Sequence, residues 1–232
     1  MNGSVERRVR EPERKDFVDG ESIKTLGAAA RAFWGRPGVR KMAASALGGL
    51  ALRACLGPPG VADLKVALGV ASFWPLQEWL AHKYLLHIRP FEVAGRRLDP
   101  GFARAHRAHH RNPRDIDYTF LPEPVVNVAI PASAAMWVLG ARSMRGAATG
   151  IAAYSAMALA YEWTHFLVHT GYKPSSAWFK RVRRNHRFHH YRNERYWYAF
   201  TVPHVDGLLG TEPDPKSVPV SNTARNLHGL EG

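Results

Sequence analysis

The sequence contains very little cysteine, since Cys55 is the only one among 232 residues. A single thiol excludes an intramolecular disulfide, a CxxC redox pair and any zinc or iron–sulfur site held by several cysteines. The chain also lacks a glycine-rich dinucleotide fingerprint, so it shows no sign of a dinucleotide site of that kind. Its length fits one domain, or at most two small ones.

A secretory signal is also missing from the pattern. Residues 1–41 hold ten Lys and Arg residues and no apolar core of the length that a signal peptide needs. The pair Arg7-Arg8 is not followed by an apolar run, which argues against a twin-arginine signal. We therefore expect no cleaved leader.

No stretch forms a clean, uninterrupted hydropathy peak, although 46% of the residues are hydrophobic. The apolar residues gather into four blocks of about the length that crosses a bilayer, at 42–57, 61–81, 124–140 and 146–161. The turn Gly57-Pro58-Pro59-Gly60 and the linker 141–145 join these blocks in pairs, which predicts two transmembrane hairpins. Arg53 and Lys65 lie near the first turn, where long side chains can snorkel to the far interface.

The net charge of +13 tests this topology. If both hairpins return to the starting side, segments 1–41, 79–122 and 166–232 share one compartment and hold 10, 8 and 10 of the 32 Lys and Arg residues. Short basic segments stay in the cytoplasm, so we expect both termini there. Because topology accounts for the charge, we expect no nucleic-acid partner, although a basic chain always has some affinity for nucleic acid.

Three parts of the chain are predicted. Residues 1–41 form a cytoplasmic N-terminal segment, residues 42–212 a membrane domain with a metal site, and residues 213–232 a C-terminal tail. Within the first part, the apolar spacing over residues 22–33 predicts an amphipathic helix. This helix either lies on the membrane surface or packs on the protein itself.

Ten of the twelve histidines fall into four clusters with the spacings HxxxxH, HxxHH, HxxxH and HxxHH. Each hairpin is followed by one pair and one HxxHH group, so the chain consists of two similar halves. The ten are His82, His87, His106, His109, His110, His165, His169, His186, His189 and His190.

Helical spacing groups these side chains, because residues three and four apart share a helix face. His82 and His87 are the exception, since five residues turn by about 140° on a regular helix. Either the two serve different ions, or the helix loosens near its end. Crowded imidazoles are favourable when they are neutral and bind metal, and two ions with about five nitrogen ligands each would use all ten. Iron, copper and zinc suit such ligands, while a histidine-rich surface or storage segment is the alternative.

The four clusters resemble the histidine boxes of the fatty acid hydroxylase/sterol desaturase superfamily of integral-membrane di-iron enzymes. The resemblance covers roughly residues 74–212, including the runs EWLAHKYLLH at 78–87, HRFHHY at 186–191, YWYAFT at 196–201 and DGLLGT at 206–211. It is greatest for the fatty acid 2-hydroxylase branch without a cytochrome b5 domain. The stretch His204-Val205-Asp206 departs from the family's Trp-Asp, which puts the role of Asp206 in doubt.

The resemblance implies an all-α fold, with four transmembrane helices in two hairpins and a cytoplasmic helical cap that holds a dinuclear site. The ten histidines would bind two iron ions, with zinc able to replace iron in purified protein, and O₂ would be the co-substrate. The implied reaction is hydroxylation of a lipid C–H bond, with a fatty acyl chain favoured. Electrons would come from a separate donor, either a ferredoxin or a cytochrome b5-like protein with its reductase.

Two alternatives stay open. The same site would serve a sterol, carotenoid or other isoprenoid hydroxylase or desaturase, because carotenoid hydroxylases share a similar histidine framework. From another class, a non-catalytic membrane metal-binding protein would also carry such clusters.

Further residues are candidates for supporting roles. Glu162 and Asp206 either orient imidazoles through the outer N–H or serve as ordinary interfacial charges. Five aromatic residues either line an acyl channel or anchor the chain at the membrane boundary, namely Trp163, Phe166, Trp197, Tyr198 and Phe200.

Overall fold

The computed structural model describes residues 17–230. The first 16 residues of the predicted N-terminal segment and the last two of the predicted tail lie outside the described residues. Within 17–230 the chain forms eight α-helices: α1 (Leu26–Trp34), α2 (Pro37–Cys55), α3 (Val61–Leu80), α4 (Gly101–Arg111), α5 (Glu123–Gly140), α6 (Met144–Val168), α7 (Ala177–Tyr191) and α8 (His204–Leu208).

The four long helices α2, α3, α5 and α6 form the body of the protein, and α6 packs against the other three. Helix α2 packs closely on α6, where a Cβ on Gly49 would lie 2.8 Å from the backbone nitrogen of Ala152. Each long helix covers most of a predicted apolar block, so the two helical hairpins are present. The boundaries predicted for the three parts of the chain stay predictions.

Only α5, among the helices of residues 17–230, is both long and apolar enough to cross a membrane. Its mean hydropathy is 1.2, and 6% of that window is buried inside the protein. Charged residues lower the mean hydropathy of α2 and α3, because α2 contains Arg40, Lys41 and Arg53 and α3 contains Asp63 and Lys65. The expectation of four transmembrane helices is therefore unconfirmed.

Arg53 does not reach outward as expected. Its guanidinium is buried and donates to both carboxylate oxygens of Asp63, at 2.5 and 2.6 Å. It also donates to the carbonyls of Gly57 and Pro58 at 2.8 and 2.9 Å. A planar guanidinium can satisfy four acceptors at once, so Arg53 closes the α2–α3 turn instead of snorkelling.

The N-terminal helix packs on the protein. Thr25 caps α1 by accepting from the Ala28 amide at 3.2 Å, so the helix begins later than predicted. Phe33 is buried against the rings of Phe120, Trp163 and Phe166. Burial of this aromatic face favours the protein-packed alternative over a helix lying on the membrane surface.

The all-α prediction missed one short β-hairpin, which consists of β1 (Phe91–Val93) and β2 (Arg96–Leu98). Its two-residue turn places Ala94 and Gly95 at φ 49° and 73°. Two positive φ values are the mark of a type I′ turn, for which Asn-Gly is the usual sequence. Ala-Gly is a weak form of that signal, so the pattern did not reveal the hairpin.

Candidate metal centre

The first cluster begins where α3 changes its winding. A π-helical segment, Ala81–Leu86, continues α3 and ends at His87. In a π-helix the backbone bonds join residues five apart, so His82 and His87 come to the same side. The predicted loosening of the helix is confirmed, and whether these two histidines serve one ion or two stays a prediction. Both belong to one group with His106, His110 and His189.

The second cluster consists of His109, His165, His169 and His186. His190 joins it, because its Nε2 atom lies 2.9 Å from Nε2 of His186. The two halves are interlocked: the middle histidine of each HxxHH group serves the cluster of the other half. The side chain of His109 on α4 lies in the second cluster, and the side chain of His189 on α7 lies in the first.

The spacing of the imidazole nitrogens fits bound metal. Nε2 of His110 lies 3.2 Å from Nε2 of both His106 and His189, and Nε2 of His169 lies 2.7 Å from that of His186. Adjacent ligands on an ion with metal–nitrogen distances of 2.0–2.1 Å lie about 3 Å apart. Within the described residues, the buried Nε2 atoms of His82, His87, His109 and His165 have no hydrogen-bond partner. All ten histidines are brought together, and metal ligation by each of them stays a prediction.

Backbone carbonyls orient the imidazoles from outside. Nδ1 of His82, His110 and His189 lies 2.7, 2.8 and 2.7 Å from the carbonyls of Tyr198, Ala224 and Tyr196. A carbonyl only accepts, so Nδ1 carries the proton and Nε2 offers its lone pair to the centre. In the second cluster, the backbone carbonyls of Thr119 and Pro113 accept hydrogen bonds from His165 and His169.

The two predicted carboxylates do not orient imidazoles directly. Glu162 accepts from the Leu121 amide at 3.3 Å. Asp206 is fully buried and accepts from the amides of Tyr198 and Ala199, both at 2.9 Å, and from the Thr211 hydroxyl at 2.7 Å. Asp206 therefore fixes the backbone at Tyr198, and the Tyr198 carbonyl in turn holds His82. Asp206 thus acts on the cluster indirectly.

Burial keeps the imidazoles neutral. It lowers the pKa of His110 to about 3, although the Ala224 carbonyl acts in the opposite direction. Burial, followed by the neighbouring imidazoles, lowers the pKa of His106, His109, His186 and His190 well below the usual value. Neutral rings at physiological pH are the form that binds metal.

Sequence reasoning missed Glu78 as a structural residue. Its buried carboxylate accepts from the amides of Phe200 and Thr201, at 2.5 and 3.0 Å, and from the Trp74 indole at 3.2 Å. These bonds tie segment 196–201 to α3, and Phe200 then packs 4.5 Å from the His186 ring. A carboxylate near the end of an apolar helix was the available signal.

A cavity of about 190 Å³ lies beside the first cluster, between α2, α3, α5 and α6. His82, Leu86, Leu121 and Tyr161 line the end near the cluster, and Trp74, Ser133 and Tyr154 line the far end. None of the five aromatic residues predicted for a channel lines it in the described structure. Tyr198 and Phe200 instead contact His82, and Trp163 and Phe166 pack on Phe33.

The helical body and the paired imidazole clusters define a histidine-rich, candidate dinuclear metal protein. The chain belongs to the fatty acid hydroxylase family, whose model matches residues 67–211. The predicted family is thereby confirmed.

Two known proteins resemble it. Dihydroceramide fatty acyl 2-hydroxylase FAH2 of Arabidopsis thaliana is 27% identical over 155 residues, which cover 66% of this chain and 62% of that relative. The chain thus spans less than two thirds of that relative's length. A solved structure described as full-length Scs7p, with only the hydroxylase domain visible, aligns with a TM-score of 0.61 and 20% identity, over 89% of this chain and 73% of that one. At that identity the likeness concerns the fold.

Proposed function

We propose that this chain is an integral-membrane, non-haem di-iron oxygenase that hydroxylates a lipid C–H bond. The specific bond that we propose is the one at position 2 of a fatty acyl chain. The observation that carries the proposal is the pair of buried imidazole clusters next to a mainly apolar cavity. Ten neutral imidazoles without a carboxylate or thiolate among them suit iron, and zinc can take the same positions during purification.

The chemistry divides between metal and protein. Two bound irons would supply O₂ activation and abstraction of hydrogen from an unactivated C–H bond. Overall, one oxygen atom of O₂ enters the C–H bond and the other becomes water, with two electrons and two protons consumed. The protein holds Nε2 of His82, His110 and His189 toward the centre through outer carbonyls. Glu78 and Asp206 fix the segment that supplies two of these carbonyls, those of Tyr196 and Tyr198.

The cavity supports an acyl substrate. Small and aliphatic side chains line most of it, including Ala81, Ala129, Val126, Ile130 and Ala158. It runs from His82 between the long helices, so a chain that enters it would approach the first cluster. FAH2, the relative that is 27% identical, is a fatty acyl 2-hydroxylase by name, which supports the same substrate class.

Exposed apolar side chains support placement in a membrane. Long residues point away from the protein on three helices, namely Leu47 and Leu50 on α2, Leu64 and Leu68 on α3, and Val128 and Leu139 on α5. Such surfaces are rare on soluble monomers. We place the metal centre on the cytoplasmic side, because the histidine-bearing segments are strongly basic.

Blocking the cavity tests the proposal. Ala158→Phe places a ring among the lining residues, whereas Ala156→Phe on the same helix points to an exposed position. We expect cells that produce the wild type or A156F to accumulate 2-hydroxy acyl lipids by mass spectrometry. Cells that produce A158F should accumulate at least ten-fold less 2-hydroxy acyl lipid, and the purified variant should keep its metal. Products confined to isoprenoids, with acyl chains untouched, would contradict the acyl assignment.

We also propose where the electron donor binds. A basic groove runs along the outer side of α7 and is lined by Lys173, Lys180, Arg183, Arg184 and Arg187. Arg183 and Arg187 also line a neighbouring groove that reaches His169, His186 and His190. An acidic redox protein would be attracted to this face and brought close to the second cluster.

Charge reversal tests the donor site. Lys180→Glu with Arg184→Glu should slow turnover supported by a protein donor several-fold, while metal content and turnover with a chemical reductant stay unchanged. The matched control is Arg96→Glu with Arg97→Glu on the exposed β-hairpin. Equal slowing by both pairs would refute the assignment to α7.

A further inference from the structure

The segment 221–229, here called the C-terminal strap, lies outside the matched family region yet contacts the first cluster. The Ala224 carbonyl lies 2.8 Å from Nδ1 of the ligand candidate His110. Arg225 Nε donates to the His110 carbonyl at 2.9 Å. The strap thus holds both the ring and the backbone of His110.

The strap also holds the second element of this cluster. Nε2 of His228 donates to the carbonyl of His87 at 2.8 Å, at the residue where the π-helical segment ends. On its other side, Nδ1 of His228 accepts from Arg89 Nε at 3.1 Å. Both ring nitrogens of His228 are therefore used, and the ring is fixed against the His87 backbone.

The start of the strap is joined to the end of α7, which supplies His189. The Ser221 amide donates to the Arg192 carbonyl at 2.7 Å, and the Thr223 hydroxyl donates to Glu194 at 2.6 Å. The strap therefore connects all three elements from which the first cluster is built: the π-helical segment, α4 and α7.

Burial and backbone conformation show that the strap is tightly held. Leu227 is fully buried and Ala224 nearly so. His228 has φ 66°, a left-handed conformation that a residue with a Cβ rarely adopts. A residue stays in such a conformation when surrounding contacts impose it, and these residues often lie at functional sites.

The second cluster has different support, because backbone groups of Thr119 and Pro113 hold His165 and His169. We infer that the C-terminal strap is a positioning device for the first metal ion: it fixes the His110 tautomer and the His87 backbone so that both Nε2 atoms face that ion. This inference rests on the proposed metal centre. It predicts that damage to the strap weakens metal binding at one cluster only.

The test measures metal binding site by site. Wild type and variants are titrated with cobalt(II) under anaerobic conditions in the presence of a competing chelator. His228→Gly removes the ring and tolerates the left-handed conformation, while His228→Gln keeps a donor for the His87 carbonyl. Arg225→Ala removes the bonds to α4, and Lys216→Ala, an exposed cation that precedes the strap, is the control.

Loss of outer-shell contacts costs metal affinity about 10–100-fold. We expect H228G and R225A to weaken one of two sites by that factor, with H228Q near wild type and K216A unchanged. In a His165→Ala/His169→Ala background, which keeps the first cluster, H228G should weaken the remaining site. In a His82→Ala/His87→Ala background it should have no effect.

Three results would overturn the inference. Wild-type affinity at both sites in H228G and R225A, or equal weakening at both, would refute the strap while leaving the metal centre intact. A wild type that binds no cobalt would overturn the metal centre and the strap together, so the two failures are distinguishable.

Discussion

Single residues orient this site through their hydrogen bonds. The imidazoles of His82, His110 and His189 each point Nδ1 at a backbone carbonyl, and Nε2 is thereby directed to the centre. Carbonyls carry no net charge, so they fix the tautomer without adding negative charge beside the proposed metal ions. Asp206 acts one step further out, because it holds the amide of Tyr198, whose carbonyl contacts His82.

Asp206→Asn should destabilise the protein. The amide nitrogen of Asn would face a backbone N–H, Ala199 or Tyr198, and leave that buried donor without an acceptor. An unsatisfied buried group costs about 1–3 kcal/mol. For a chain of this size that lowers the midpoint of thermal unfolding by roughly 2–12 °C. Asp214→Asn, at an exposed position, is the control and should shift the midpoint by no more than about 2 °C. Equal midpoints for D206N and wild type would contradict this role.

Sequence could identify the ten histidines, because their spacing on helices is local. It could not assign them to clusters, since the crossing of His109 and His189 depends on how α4 and α7 meet. The outer carbonyls escaped prediction for a related reason: every residue has one, so no side chain marks Ala224 or Tyr196.

Among the elements, α2 and α6 pack closely against each other at Gly49. A Cβ on Gly49 would meet the Ala152 nitrogen at 2.8 Å and the Ala148 carbonyl at 3.1 Å. The adjacent Gly48 has nothing within 4 Å of its Cβ position. The two glycines therefore offer a matched pair on one helix.

Gly49→Ala should destabilise the folded protein, and Gly48→Ala should stabilise it. Overpacking costs about 1–3 kcal/mol, whereas Ala in place of an exposed helical Gly gains up to about 1 kcal/mol. The midpoint of thermal unfolding in lipid nanodiscs should accordingly fall for G49A and hold or rise for G48A. A midpoint for G49A that equals or exceeds that of G48A would show that the α2–α6 contact is looser than described.

Helix positions were predictable from apolar blocks and turn residues, and the predicted ends differ from the observed ones by up to seven residues. The π-helical segment was only half predictable, because the five-residue spacing of His82 and His87 left two interpretations. The β-hairpin was missed since Ala94-Gly95 is a poor turn signal and its strands are exposed.

The whole molecule has its histidine clusters at one end and Cys55 near the turn at the other end of α2. If the clusters face the cytoplasm, this single exposed thiol lies on the opposite side. An impermeant maleimide should label Cys55 in intact cells. A Cys55→Ser/Ser217→Cys variant, with its thiol in the C-terminal region, should be labelled only after lysis. The reverse pattern would invert the proposed orientation.

The measurement that tests the central claim most directly is metal content per chain after anaerobic purification, for wild type, His189→Ala and His109→Ala. The account predicts about two metals for the wild type and about one for each variant. Adding His82→Ala to H189A should remove no more, because both residues serve one cluster, whereas adding His165→Ala should remove the second metal. A wild type without stoichiometric metal, or metal unaffected by either substitution, would contradict the account.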